Sequence, residues 1–184
     1  MKEFWLKGFA GCSITDLTKA SGCTAPTLYA LFGSKEGLFE EALQRYAQRA
    51  FAQRTEALTT ESADRNVLEA VLRAMVQAAT QNSAPRGCLI LIGELADSHT
   101  SAAKSVARLR AFFLEGLKRF LGNARESGNL GPCDTDALAR FYFGVAQGIA
   151  AQAADGATRE ELEPLVAIAL AAWPKPQNER RVRH

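Results

Sequence analysis

Apolar residues recur three and four positions apart along almost the whole 184-residue chain. That spacing puts them on one face of an α-helix. The segments are punctuated by helix signals. Ser13-Ile14-Thr15-Asp16 and Thr158-x-x-Glu161 are capping-box patterns, and Gly22, Gly33 and Gly156 are stops. Only Cys88-Leu89-Ile90-Leu91-Ile92 has strand composition. No partner strand is visible elsewhere, so it reads as a buried helix. The expected fold is therefore all-α.

Helices are expected at Ser13–Ser21, Ala25–Phe32, from Ser34 through Phe51, and at about 66–81, 88–98, 101–127, 135–155 and 159–173. The first short helix carries Ile14, Leu17 and Ala20 on its apolar face, and the second carries Leu28, Leu31 and Phe32. Residues 2–7 read as the back half of a helix stopped at Gly8. Pro174, Pro176 and the Arg180-Arg181 pair mark residues 174–184 as a disordered basic tail.

A hydrophobic fraction of 47% with 23% charged residues rules out a disordered chain. Cys12, Cys23, Cys88 and Cys133 are widely spaced, and His99 and His184 offer no zinc spacing. Four reduced thiols, no metal and no cofactor are expected. The longest uncharged run, Phe141–Ala154, is too short and too polar to span a bilayer. The N-terminus is not a signal peptide. These readings imply a cytoplasmic protein.

Net charge is +2, and its position matters more than its size. Residues 1–46 are net zero, residues 47–173 net −1 and residues 174–184 net +3. On charge alone, nothing marks the folded body as a nucleic-acid binder.

Two short helices around the tight turn Gly22-Cys23-Thr24 form a helix-turn-helix pattern. In that motif the second helix enters the major groove N-terminus first. Thr24, Ala25, Pro26, Thr27, Tyr29 and Ala30 are then the DNA-facing residues. Thr27 suits a base edge or a phosphate, and Ala and Pro suit a thymine methyl. Tyr29 suits a phosphate oxygen. Ser34 and Lys35 open the next helix, whose N–H groups and dipole favour a phosphate. Ser13 and Thr15 can grip the backbone from the earlier helix. Lys7, Lys19 and Arg45 are further cations within reach.

The stretch GFAGCSITDLTKASGCTAPTLYALFGSKEGLFEEAL resembles the N-terminal domain of TetR-family transcriptional repressors. The resemblance rests on Gly8-Phe9, Ser13-Ile14, Leu17, Ala20-x-Gly22, Thr27-Leu28-Tyr29, Phe32 and Ser34-Lys35-Glu36-x-Leu38. The stretches RGCLILIGELADS and ARFYFGVAQGIAAQAADGATREELEPLVAIALAAW are similar to the ligand-binding and dimerisation part of the same family. Two features depart from it. Members usually begin with a basic arm and a full first helix, whereas this chain starts inside that helix. Gly22 to Phe32 carries no charge, so DNA affinity is expected to be weaker than with a restored arm.

The resemblance implies a DNA-binding domain at 1–46 and an effector-binding, dimerising domain at 47–173. It implies a repressor, released from a palindromic double-stranded operator by a largely apolar small molecule. The two helices after residue 134 are rich in small residues, and in the family such helices form a four-helix dimer interface. Gly144, Gly148, Ala151, Leu165, Ile168 and Ala172 are the candidates. Gly144 and Gly148, four apart, share a face.

Candidate effector contacts are Met75, Leu91, Glu94, Leu95, His99, Phe112, Phe113 and Tyr142, with Leu109 and Phe120 beside them. Each apolar member taken singly reads first as ordinary core. A second function class stays open: a dimeric helical ligand-binding or interaction module whose DNA head is impaired. An enzyme is a distant third, because no triad, metal site or phosphate loop is present.

Overall fold

A computed structural model describes residues 1–52, 56–59, 63–82, 85–92 and 100–176. Its regular elements are all helical: α1 (Lys2–Gly11), α2 (Ile14–Ser21), α3 (Ala25–Phe32), α4 (Lys35–Tyr46), α5 (Arg65–Thr80), α6 (Leu89–Ile92), α7 (Ser101–Glu126), α8 (Thr135–Ala154) and α9 (Arg159–Ala171). The chain stays helical past α4 as a π-turn, Ala47–Phe51, and Glu56–Thr59 is a 3₁₀ turn. The all-α class holds. No strand occurs among the described residues. No helix there is long and apolar enough to cross a membrane.

The head is α1 to α3 with the start of α4. Its core is aromatic. Phe4, Phe9 and Phe39 are buried, and the Phe39 ring meets Phe4 at 5.1 Å and Phe9 at 5.4 Å, both edge-on. Such pairs add about 1 kcal/mol beyond their buried area. Leu17 and Leu28 complete the core. Gly8 interrupts α1 with non-helical angles (φ 68°, ψ 169°), and one further helical stretch reaches Gly11. The expected stop is therefore a kink, and it turns Phe9 onto Phe39.

Side-chain caps set the head's boundaries. Ser13 and Asp16 form a reciprocal capping box: Asp16 N donates to Ser13 Oγ (3.1 Å), and Ser13 N donates to Asp16 Oδ2 (2.8 Å). Thr24 and Ser34 cap α3 and α4 one way only, their hydroxyls accepting from Thr27 N and Gly37 N. Gly22 closes α2 with φ 71°, a left-handed angle that favours glycine. Gly37 is needed for a different reason. A Cβ there would lie 2.2 Å from the carbonyl oxygen of Phe32, so only glycine lets α4 start against the end of α3.

Two apolar assignments are corrected. Leu31 is 67% exposed, and Ala20 is also exposed. With α3 only eight residues long, Leu28 takes the buried side and Leu31 lies about 60° away around the helix.

In the body, α8 packs among α5, α7 and α9. Despite its strand composition, Leu89–Ile92 is helical and, with Cys88, nearly all buried, as the lack of a partner strand implied; residues 93–98 of the expected helix lie outside the described residues. Its carbonyls are satisfied by side chains from longer helices: Arg110 Nη1 donates to Ile90 O (3.3 Å), and Gln147 Nε2 donates to Leu91 O (3.2 Å). Thr158 and Glu161 form the second capping box. The start of the expected tail is docked. Gly131 N donates to Pro174 O (3.0 Å), and Trp173 Nε1 donates to Asn129 O (3.1 Å). Residues 177–184 lie outside the described residues.

Gly37→Ala is expected to destabilise the protein by about 1–3 kcal/mol through overpacking, read as a lower Tm. A second expectation concerns Asp16. Its carboxylate accepts from Lys7 (2.6 Å) and from Ser13, and these bonds hold its pKa well below the usual carboxylate range. A depressed pKa gives stability that is present above the unfolded value near 4 and lost as pH falls through the folded one. Urea titrations should show a wild-type advantage over Asp16→Asn that is flat from pH 8 to 6 and shrinks below about pH 4.

Candidate nucleic-acid interface and effector region

Three helix N-termini meet solvent in the head, each with a hydroxyl cap: Ser13 on α2, Thr24 on α3 and Ser34 on α4. Ser13, Thr15, Thr24, Pro26, Thr27, Tyr29, Ala30 and Ser34 are exposed, and Ala25 and Lys35 are half-buried. The expected DNA-facing set is thus at the surface, while Leu28 turns in.

Several of these groups are already engaged. Thr24 and Thr27 share a hydroxyl–hydroxyl bond (2.9 Å). Ser13 Oγ donates to Asp16 (2.7 Å). Ser34 Oγ only accepts, from Gly37 N (3.1 Å), which leaves its proton to give. Tyr29 is 46% exposed, and its phenol is the one long polar side chain on α3.

Lys35 lies over the Phe9 ring, 4.4 Å from its centroid. That contact holds the ammonium at the N-terminal turn of α4. Lys7, read from sequence as a further cation for phosphate, is corrected. It pairs with Asp16 (2.6 Å) and Glu3 (3.3 Å), which raises its pKa. Arg45 likewise pairs with Glu41 (2.8 Å). Lys19 is exposed and has no ion pair among the described residues.

The effector candidates separate. Met75 and Leu91 share a cavity with Cys88, Ala146 and Ile149, but it holds only about 10 Å³, room for one water. Phe113 is buried against Phe143, with ring centroids 6.0 Å apart. Phe120 packs on Trp173. Tyr142 is fully buried, and its hydroxyl has no hydrogen-bond partner among the described residues. Burial pushes its pKa up to about 12. Phe112 is corrected: it is 64% exposed and faces away from the interior, with the Arg119 guanidinium 6.0 Å from its ring. The α7 apolar face has room for Phe113 but not for its neighbour. Glu94, Leu95 and His99 lie outside the described residues.

The proposed dimer residues fall on one apolar surface of α8 and α9. Gly144, Ala151, Ile168 and Ala172 are exposed, and Gly148 and Leu165 are half-buried. A Cβ added at Gly144 would meet nothing within 4 Å. Gly144 therefore serves no close packing within the chain.

Two links between head and body were not legible in sequence. Ser105 Oγ on α7 donates to Glu40 Oε1 on α4 (2.6 Å), and Tyr46 OH donates to Cys88 Sγ (3.4 Å). Their partners are 65 and 42 positions apart, so no local pattern announces them.

The sequence profile of bacterial regulatory proteins of the tetR family matches residues 1–42. The HTH-type transcriptional repressor ComR of Escherichia coli K12 is 33% identical over 180 residues, which cover 95% of this chain and 85% of that protein. The repressor BdcR of the same organism is 30% identical over 166 residues, covering 90% and 81%. A cysteine-substituted form of the TetR-family regulator CifR, solved with 26-base-pair operator DNA, superposes with a TM-score of 0.87 at 35% identity, covering 94% of this chain and 92% of that one. The helix-turn-helix head, the helical body and relatedness over almost the full length agree, and the chain belongs to the TetR family of DNA-binding transcriptional regulators.

Proposed function

We propose that the chain acts in the cytoplasm as a homodimeric repressor, holding a palindromic operator with two heads and releasing it when a small molecule enters the body. It works by binding, not catalysis. The observation that carries this reading is the head surface. Three hydroxyl-capped N-termini, Tyr29 and Lys35 are exposed or half-exposed around an aromatic core that fixes them. Helix N-termini favour phosphates through their free N–H groups and dipole.

The dimer is supported by the apolar face of α8 and α9. Phe141 is 44% and Ile168 75% exposed in the single chain, beside small residues that let a second copy approach. Two-fold symmetry is what a palindromic operator requires. The effector is supported by Tyr142, because a fully buried hydroxyl with no partner among the described residues calls for a ligand or a water.

A palindromic duplex selected from a randomised library tests the DNA reading. Lys35→Ala should weaken binding to all sequences alike and reduce the salt slope by about one. Tyr29→Phe should cost about 1 kcal/mol of affinity. Unchanged binding in both variants would contradict the interface. Ile168→Glu should give a monomer by sedimentation and lower operator affinity by about 100-fold, since two heads then bind separately. A dimer that persists would contradict the α8–α9 interface.

A further inference from the structure

A groove of about 250 Å³ separates α4 from α7, lined by Glu40, Leu43, Gln44, Ser105, Arg108 and Leu109. Each helix supplies residues at i, i+3 and i+4, so each trio shares one helical face. The floor is apolar: Leu43 is 2% exposed and Leu109 half-buried. The walls carry opposite charges. Glu40 stands on the α4 side with the Gln44 amide one turn beyond it, and Arg108 stands on the α7 side.

These charges do not neutralise each other. Glu40 accepts only from the Ser105 hydroxyl, and Arg108 makes no ion pair or hydrogen bond among the described residues. Ser105 itself is only 9% exposed. The groove therefore offers one carboxylate and one guanidinium that has no ion pair among the described residues, over a leucine floor.

We propose that this groove is a second ligand site, distinct from the interior of the body, for a small amphiphilic zwitterion of amino-acid size. The ligand's ammonium goes to Glu40, its carboxylate to Arg108 and its aliphatic part to Leu43 and Leu109. A guanidinium takes a carboxylate through two parallel hydrogen bonds, which favours Arg108 as the anion partner. An ammonium on Glu40 competes with Ser105 for the same carboxylate. Occupancy then loosens the bond that ties the DNA-bearing helix to the body. Binding itself does not depend on the operator reading; only this consequence does.

Isothermal titration of the DNA-free protein tests the site, with L-leucine, isocaproate and isopentylamine as probes. The second probe lacks the ammonium and the third lacks the carboxylate. Leucine should bind at least about tenfold tighter than either, one charged contact being worth that much or more. Arg108→Gln should bring leucine down to the level of isopentylamine and leave isopentylamine unchanged. Glu40→Gln should bring leucine down to the level of isocaproate. Both positions are exposed, and unchanged Tm confirms that the variants fold. Equal affinity for the three probes, no heat with any of them at about 10 mM, or leucine binding that ignores Arg108→Gln would overturn the site. Failure of operator binding alone would overturn the repressor reading and leave this one standing.

Discussion

Helix α4 belongs to two cores at once, and the rest of the molecule depends on that. Phe39 and Leu43 are buried, Phe39 against the head's aromatic cluster. From the same helix, Glu40 and Tyr46 bond to α7 and to Cys88 in the body. Truncating a buried phenylalanine costs about 3–5 kcal/mol, so Phe39 holds α4 firmly to the head; on the body side Leu43 packs over the α4–α7 groove and the Glu40 and Tyr46 hydrogen bonds add about 1 kcal/mol each. The contacts between α4 and the body are where a ligand can change the spacing of two heads. A ligand shifts that equilibrium only by its difference in affinity for the two arrangements.

The charge distribution tells how such a head meets DNA. Residues 1–46 are net zero, and the structure shows where two of the cations go. Lys7 is bound by Glu3 and Asp16, and Arg45 by Glu41. Few phosphates meet free charge from these residues, so a shallow salt dependence of operator binding is expected. Helix dipoles, backbone N–H groups and hydroxyls carry more of the contact than in a basic head. The +2 of the whole chain carries no information on DNA binding, because it comes from residues 174–184.

What was legible in the sequence is what is local. The capping boxes at Ser13 and Thr158, the Gly22 turn and the Ser34 cap are each decided within four residues, and each stands where it was read. The buried helix at Leu89–Ile92 was legible by elimination, since a strand needs a partner. The misreadings share one cause: periodicity gives a face but not what covers it. Leu31 and Phe112 sit at the edge of apolar stripes and turn out to solvent. Lys7 was counted as free because its partner, Asp16, comes from the next helix. The Ser105–Glu40 bond and the unpartnered Tyr142 hydroxyl arise from the packing of distant segments, which no spacing encodes.

The central claim is that two heads, each fixed to its own α4, grip one palindrome together. Hydroxyl-radical footprinting of the wild-type protein on a selected duplex tests it most directly. Two protected half-sites related by two-fold symmetry are expected, with centres one or more whole helical turns of about 10 base pairs apart, both appearing over the same range of protein concentration. Protection of a single half-site, or of two that fill independently, would contradict it.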